Sequence, residues 1–180
     1  MTCIFLDRDG VINKAIIKFG KPHAPKKFED FQIIDGIKES LLYFKKNGFK
    51  VCVFTNQPDV KFNPSIKKEI IKMHNFLIEN FAIDLIEVCY HDDSDGCECR
   101  KPKPGMLINA AKKLNVKLDK SFVVGDRWRD IQAGQMVNCR CFYINNNYNE
   151  KKPKMPYVEI KHLNELIGKF KKKVINQIIN

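Results

Sequence analysis

The sequence predicts an α/β fold, a three-layer, doubly wound parallel sheet with helices on both faces. Three observations carry this reading. Short apolar runs rich in Val, Ile, Phe and Cys alternate with longer segments of helical periodicity. The apolar runs are nearly continuous, as in strands buried on both faces. The resulting β-α-β-α order calls for parallel strands joined by crossover helices. Ligands in such sheets bind outside the carboxyl ends of the strands.

The elements follow in order. Cys3–Leu6 is the first strand, a purely apolar tetrapeptide. A helix is expected over Gly36–Asn47, where Ile37, Leu41, Leu42 and Phe44 keep helical spacing and Asn47-Gly48 supplies a stop. Val51–Thr55 is the second strand. The next helix covers Pro64–Asn80, since proline suits a first turn. Strand Leu85–Tyr90, helix Pro104–Leu114, strand Phe122–Val124, helix Asp130–Met136 and strand Cys141–Ile144 continue the alternation. A weaker strand, Tyr157–Ile160, and a helix near Leu163–Lys173 end it. The segment Ile16–Phe28 is expected to cover the site as a small flap. The polar, Pro-containing stretch Asn145–Pro156 reads as an exposed loop. No repeat, low-complexity tract or linker divides the chain, so residues 1–180 read as a single domain.

Composition narrows the class. At 180 residues the chain is long enough to bury roughly two-thirds of its unfolded surface. With 44% hydrophobic and 29% charged residues it falls among ordinary soluble globular proteins. No apolar run approaches the roughly 18–20 residues needed to span a bilayer. MTCIFLDRDG lacks a basic n-region and reads as a strand, so no signal peptide, no membrane partner and a cytoplasmic location are expected. The net charge of +11 comes from lysines in scattered short runs without interleaved aromatics. That describes a solvated surface, and no nucleic-acid partner is expected. The alternative, a zinc-containing nucleic-acid-binding module, would show steeply salt-dependent binding. Seven cysteines, an odd number, argue against a disulfide framework. Cys3, Cys52, Cys139 and Cys141 lie in apolar runs and read as small core residues.

Four polar groups fall at the expected ligand edge of the sheet. The first strand ends in Asp7-Arg8-Asp9-Gly10, two carboxylates two residues apart. In continued strand geometry both lie on one face, where they could hold a divalent cation and address one phosphate. Gly10 allows a sharp turn there. The second strand ends in Thr55-Asn56, a hydroxyl and an amide able to bond phosphate oxygens. Arg100-Lys101-Pro102 precedes a helix and brings a cation. The fourth strand runs into Gly125-Asp126-Arg127-Trp128-Arg129-Asp130, whose acids could complete a magnesium site. Each group taken alone could be turn polarity. Their order and placement together point to phosphoryl transfer.

A second cluster follows the third strand. Cys89, His91, Cys97 and Cys99 form C-x-H-x5-C-x-C, with hydrophilic residues between them that cannot pack a core. Three thiolates and an imidazole are a tetrahedral structural zinc set. All four protein positions are then used, so the loop 89–99 reads as zinc-stapled and not catalytic. No C-x-x-C redox pair is present among these residues.

These motifs resemble the haloacid dehalogenase superfamily, over nearly the whole chain. Its signature positions are matched by Asp7 and Asp9, Thr55, Lys101, and Asp126 with Asp130. The resemblance implies a HAD-like Rossmannoid fold and a magnesium-dependent phosphatase. It makes Asp7 the nucleophile that forms an aspartyl-phosphate, and Asp9 the general acid and base. Magnesium is implied on the Asp7 carboxylate, the Asp9 carbonyl and Asp126. Thr55, Asn56, Gln57 and Lys101 are implied to cradle the phosphate, and Asp130 to orient Lys101 or a metal-bound water. The motifs FLDRDG, TNQ and C-x-C-R-K-P, with the Cys/His loop, are similar to those of the small phosphatases without a large cap. Two branches fit, the heptose bisphosphate 7-phosphatases of surface-glycan synthesis and the histidinol-phosphate phosphatases. KPKPGM and VGDRWRDIQAG favour the first, and the short His91–Cys97 spacing also occurs in the second. The expected partner is a small phosphorylated metabolite, with Arg100 on its distal part, and the protein is expected to act as a monomer. Pro58-Asp59 stands where heptose enzymes commonly carry Ser-Gly, close to the substrate entrance.

Overall fold

A computed structural model describes residues 1–171. The strands are β1 Cys3–Leu6, β2 Ile16–Lys18, β3 Lys21–His23, β4 Lys50–Asn56, β5 Leu85–Cys89, β6 Phe122–Gly125, β7 Arg140–Ile144 and β8 Val158–Ile160. The helices are α1 Ile37–Lys46, α2 Asp59–Phe62, α3 Ile66–Asn80, α4 Gly105–Leu114, α5 Trp128–Gln135 and α6 Glu165–Lys171. Six strands form one sheet in the order β5-β4-β1-β6-β7-β8, and every pairing in it is parallel. The chain leaves β1 to build β4 and β5 on one side, then crosses to β6, β7 and β8 on the other. The topological switch therefore falls between β1 and β6.

Strand alternation produces the three layers. Ile4, Leu6, Val51, Val53, Val124 and Ile144 face one way and pack with Leu41 and Phe44 of α1, Met73 and Leu77 of α3 and Leu166 of α6. Phe5, Cys52, Phe54, Val123 and Cys141 face the other way, against Met106, Leu107 and Ala110 of α4 and Ile131 and Ala133 of α5. All four residues of β1 are fully buried, as the centre of a sheet covered on both faces requires. Cys3, Cys52, Cys139 and Cys141 are buried free thiols, in keeping with their core reading.

Several boundaries differ from the sequence expectation. The short helix α2 was not expected, and α3 begins at Ile66 rather than Pro64. Helix α5 begins two residues early, at Trp128, because the Asp130 carboxylate accepts from the N-cap N–H of Arg127 at 2.9 Å. The final helix is α6, Glu165–Lys171, and the expected Lys172 and Lys173 lie outside the described residues. The flap segment is an antiparallel hairpin, β2–β3. Among the described residues no helix is long and apolar enough to cross a membrane.

Candidate active site and metal centre

The switch point gathers the polar groups that the strand ends deliver. Asp7 follows β1, Asp126 follows β6, and Asp130 stands on the first turn of α5. Their carboxylate oxygens lie within 4.8 Å of one another, and all three side chains are buried. Lys101 is only 3% exposed. Its Nζ pairs with Asp7 Oδ1 at 2.7 Å and Asp130 Oδ1 at 2.6 Å, donates to the Phe54 carbonyl at 3.0 Å, and lies 4.3 Å from the centre of the Phe54 ring. Three buried carboxylates thus face one ammonium.

That imbalance shows in the protonation equilibria. Burial pushes the Asp7 carboxyl up to about 6; Lys101 pulls it down, and Asp130 and Asp9 push it up. Asp126 is also raised, by burial first and then by Asp7 and Asp130. Asp126 Oδ1 is buried with no hydrogen-bond partner among the described residues. An oxygen-rich pocket with excess negative charge and an orphaned carboxylate oxygen fits a hard divalent cation.

Asp9 is held differently. Arg8, fully buried, grips its carboxylate with Nε and Nη2 at 3.1–3.2 Å. Asn13 Nδ2 donates to Oδ1 at 3.0 Å and Gln57 Nε2 to Oδ2 at 2.8 Å. Arg8 Nη1 in turn donates to His74 Nε2 at 2.9 Å, which leaves the ring proton on Nδ1. Burial, and then Arg8, lower the His74 pKa to about 3, so the ring is neutral. Gly10 closes the turn at φ +95°, and a Cβ there would strike the Asp126 carboxylate.

The remaining candidates divide into cleft walls and braces. Asp7, Asp9, Thr55, Gln57, Arg100 and Lys101 line a cleft of about 350 Å³, and the β2–β3 hairpin supplies Lys21, Pro22 and His23 to its wall. Gln57 Nε2 also donates to Thr55 Oγ1 at 2.8 Å, so it links that hydroxyl to Asp9. Asn56 accepts from the Lys101 N–H at 3.1 Å and donates to the Lys101 carbonyl at 3.2 Å. Asn56 also lines the cleft, so its amide braces the main chain of Lys101 at the wall where the sequence expectation placed it. Arg100 donates to Asp93 Oδ1 at 2.8 Å and to the His91 carbonyl at 3.0 Å.

Cys89, His91, Cys97 and Cys99 form the second centre, their donor atoms within 4.8 Å of one another. The recorded Sγ–Sγ and Sγ–Nδ1 separations run from 3.2 to 3.7 Å. A tetrahedral site with bonds of about 2.3 Å has edges of roughly 3.8 Å, so the cluster is nearly at metal-site size. Burial, and then the Cys99 thiol, hold the Cys89 thiol far above its ordinary value; a metal ion would deprotonate it outright.

Sequence reasoning missed five contributors. Arg8, Asn13 and, through Arg8, His74 fix Asp9 from inside the core. Asn146 and Tyr148, in the stretch read as an exposed loop, donate to Asp126 Oδ2 at 3.3 and 2.6 Å. A topological signal existed for these two: β7 neighbours β6, so the loop after β7 must leave the sheet beside Asp126.

The fold and the buried carboxylate cluster define a class, and residues 4–138 match the haloacid dehalogenase-like hydrolase family. The chain belongs to that family and is a phosphoric monoester hydrolase. It is 34% identical over 177 residues to D-glycero-alpha-D-manno-heptose-1,7-bisphosphate 7-phosphatase of Campylobacter jejuni, covering 96% of this chain and 97% of that one. It is 33% identical to D-glycero-beta-D-manno-heptose-1,7-bisphosphate 7-phosphatase of Helicobacter pylori strain J99, covering 91% and 94%. The crystal structure of D,D-heptose 1.7-bisphosphate phosphatase from B. bronchiseptica, complexed with magnesium and phosphate, is similar at a TM-score of 0.79 and 25% identity. That likeness covers 96% of this chain and 99% of the other.

Proposed function

We propose that this chain is a magnesium-dependent phosphatase that removes the 7-phosphate of D-glycero-D-manno-heptose 1,7-bisphosphate. One observation carries the reading: Asp7, Asp126, Asp130 and Lys101 converge, buried, at the sheet's switch point. The substrate is taken from the names of relatives that align along nearly the whole chain. Those names include both anomers, so the anomer is left to measurement.

Each residue then has a task. Lys101 holds Asp7 Oδ1, and the other Asp7 oxygen attacks phosphorus. The bond from phosphorus to the sugar oxygen breaks, and the Asp9 carboxyl gives its proton to the leaving alkoxide. Asp9, now ionised, takes a proton from the water that hydrolyses the aspartyl-phosphate. Arg8, Asn13 and Gln57 keep Asp9 aimed through both steps. Asp7, Asp126 and the Asp9 carbonyl would hold magnesium, whose charge would offset repulsion between carboxylate and phosphate. Thr55 and Lys101 contact the transferring oxygens, Asn56 and Asp130 brace Lys101, and Arg100 faces the distal phosphate. Cys89, His91, Cys97 and Cys99 hold one structural zinc.

The test is phosphate release from both anomers of the heptose bisphosphate and from histidinol phosphate, side by side. The expected kcat/KM is higher by about tenfold or more for a heptose bisphosphate. A preference for histidinol phosphate overturns the substrate assignment and leaves the phosphatase chemistry standing.

A further inference from the structure

The loop after β7 does more than connect strands. Residues 145–150 run beside Asp126 and contact three other segments: the turn after β1, the turn of the β2–β3 hairpin and the turn from β6 into α5. Tyr148 donates its hydroxyl to Asp126 Oδ2 at 2.6 Å. Asn146 Nδ2 lies 3.3 Å from the same oxygen, 3.0 Å from the Tyr148 hydroxyl and 3.2 Å from the Gly10 carbonyl. The Asn149 N–H donates to the carbonyl of Gly20, in the turn of the β2–β3 hairpin, at 2.7 Å. Glu150 accepts from Arg127 Nη2 at 2.6 Å and from its Nε at 3.1 Å, which anchors the far end. Asn147 makes the bend at φ 56°, a conformation asparagine tolerates well.

Two consequences follow from this placement. Both donors engage Oδ2 of Asp126, while Oδ1 is buried with no hydrogen-bond partner among the described residues. The carboxylate is thus turned so that one oxygen is fixed by protein and the other is left for a cation. The same six residues that fix it also hold the hairpin that walls the cleft.

We propose that residues 145–150 are a strap that positions Asp126 as a one-oxygen magnesium ligand, through Tyr148 and Asn146, and couples it to the docking of the β2–β3 hairpin. The proposal rests on the reading that Asp126 binds magnesium. Tyr148 and Asn146 are positioning residues, because neither is given contact with substrate or metal. Partners of this kind, bonded to a metal ligand, change metal affinity by about 10–100-fold when removed. Coupling is reciprocal, so a cation that orders Asp126 must also steady the hairpin.

The experiment titrates magnesium chloride into the metal-free full chain by calorimetry and follows amide hydrogen exchange with and without magnesium. Tyr148→Phe removes one hydroxyl and keeps the ring; Asn146→Ala is the second variant. Tyr157→Phe, which removes a hydroxyl outside the site, is the control. The expected result is a magnesium Kd about tenfold higher in Tyr148→Phe and Asn146→Ala, and unchanged in Tyr157→Phe. The Asn149 amide should exchange more slowly with magnesium in the parent and respond little in Tyr148→Phe. Equal Kd values in the parent and Tyr148→Phe, each folded by circular dichroism, would overturn the strap while leaving magnesium at Asp126 intact. A parent that takes up no magnesium at millimolar concentration would instead overturn the metal reading, and the strap with it.

Discussion

His74 offers a perturbation whose size can be worked from the structure. Its ring is buried against the Arg8 guanidinium and has a pKa lowered to about 3, against 6.5 for the ordinary group. The unfolded chain therefore binds a proton between those values that the folded chain refuses. Unfolding then becomes easier as pH falls below about 6.5, and the loss continues until the folded pKa is reached. Between pH 7.5 and pH 5 the expected cost is about 2 kcal/mol, from 1.36 kcal/mol per pKa unit. Asp7 acts in the opposite sense over the same window. Its folded pKa, about 6, is raised above its ordinary value of 3.8. It therefore favours the folded state more at pH 5 than at pH 7.5, by about 1 kcal/mol. The parent's own pH profile mixes the two effects, so the informative quantity is a difference. His74→Gln keeps an acceptor for Arg8 and removes the titration. Urea unfolding of parent and variant at both pH values should show the parent losing about 2 kcal/mol more than His74→Gln on acidification, a relative midpoint shift on the order of 1 M. Parallel losses in the two proteins would refute a neutral, buried His74 as the source.

Further outcomes follow from the same site. Asp7→Asn should abolish turnover yet raise the melting temperature of the metal-free protein at neutral pH, because it removes a buried charge whose pKa is already raised; scanning calorimetry with an activity assay checks both. Lys101→Met leaves Asp7 and Asp130 buried without their ammonium, and should cost about 3–5 kcal/mol by urea unfolding along with loss of turnover. Elemental analysis should find one zinc per chain, and Cys99→Ser should lower both zinc content and melting temperature. Full zinc content in that variant would contradict the four-ligand set.

The legible part of the molecule is the part whose chemistry is local in sequence. Runs such as Cys3–Leu6 and Phe122–Val124 announce buried strands because every position is apolar, and both appear within a residue of expectation. The Cys89–Cys99 cluster is readable because its four donors share one short loop. What was not legible depends on packing between distant segments. Arg8 reads as a polar residue between two acids, and only the arrival of α3 with His74, 66 positions later, explains how it can be fully buried. Asn56 reads as a phosphate ligand because amides can be, and only the fold shows that it lines the cleft and also braces the Lys101 main chain. The strap reads as a loop because it is polar, and polarity alone does not distinguish a segment facing water from one facing buried carboxylates.

The two centres are also mechanically joined. Cys99 is the last donor of the Cys/His cluster, and Lys101 follows two residues later. Between them Arg100 turns back to the carbonyl of His91, itself a donor residue of the cluster. On the other side Asn56, at the end of β4, clamps the Lys101 main chain through both its N–H and its carbonyl. Lys101 is therefore gripped from the metal loop and from the sheet at once, which is how a long, flexible side chain can be buried with its ammonium between Asp7 and Asp130. A hydrophilic loop such as 92–96 has no core of its own to provide that grip, and a metal ion is the economical substitute. Removing the metal should consequently lower kcat through misplacement of Lys101, with a smaller effect on KM. A metal-free protein that keeps its full kcat while losing thermal stability would separate the two centres and refute this connection.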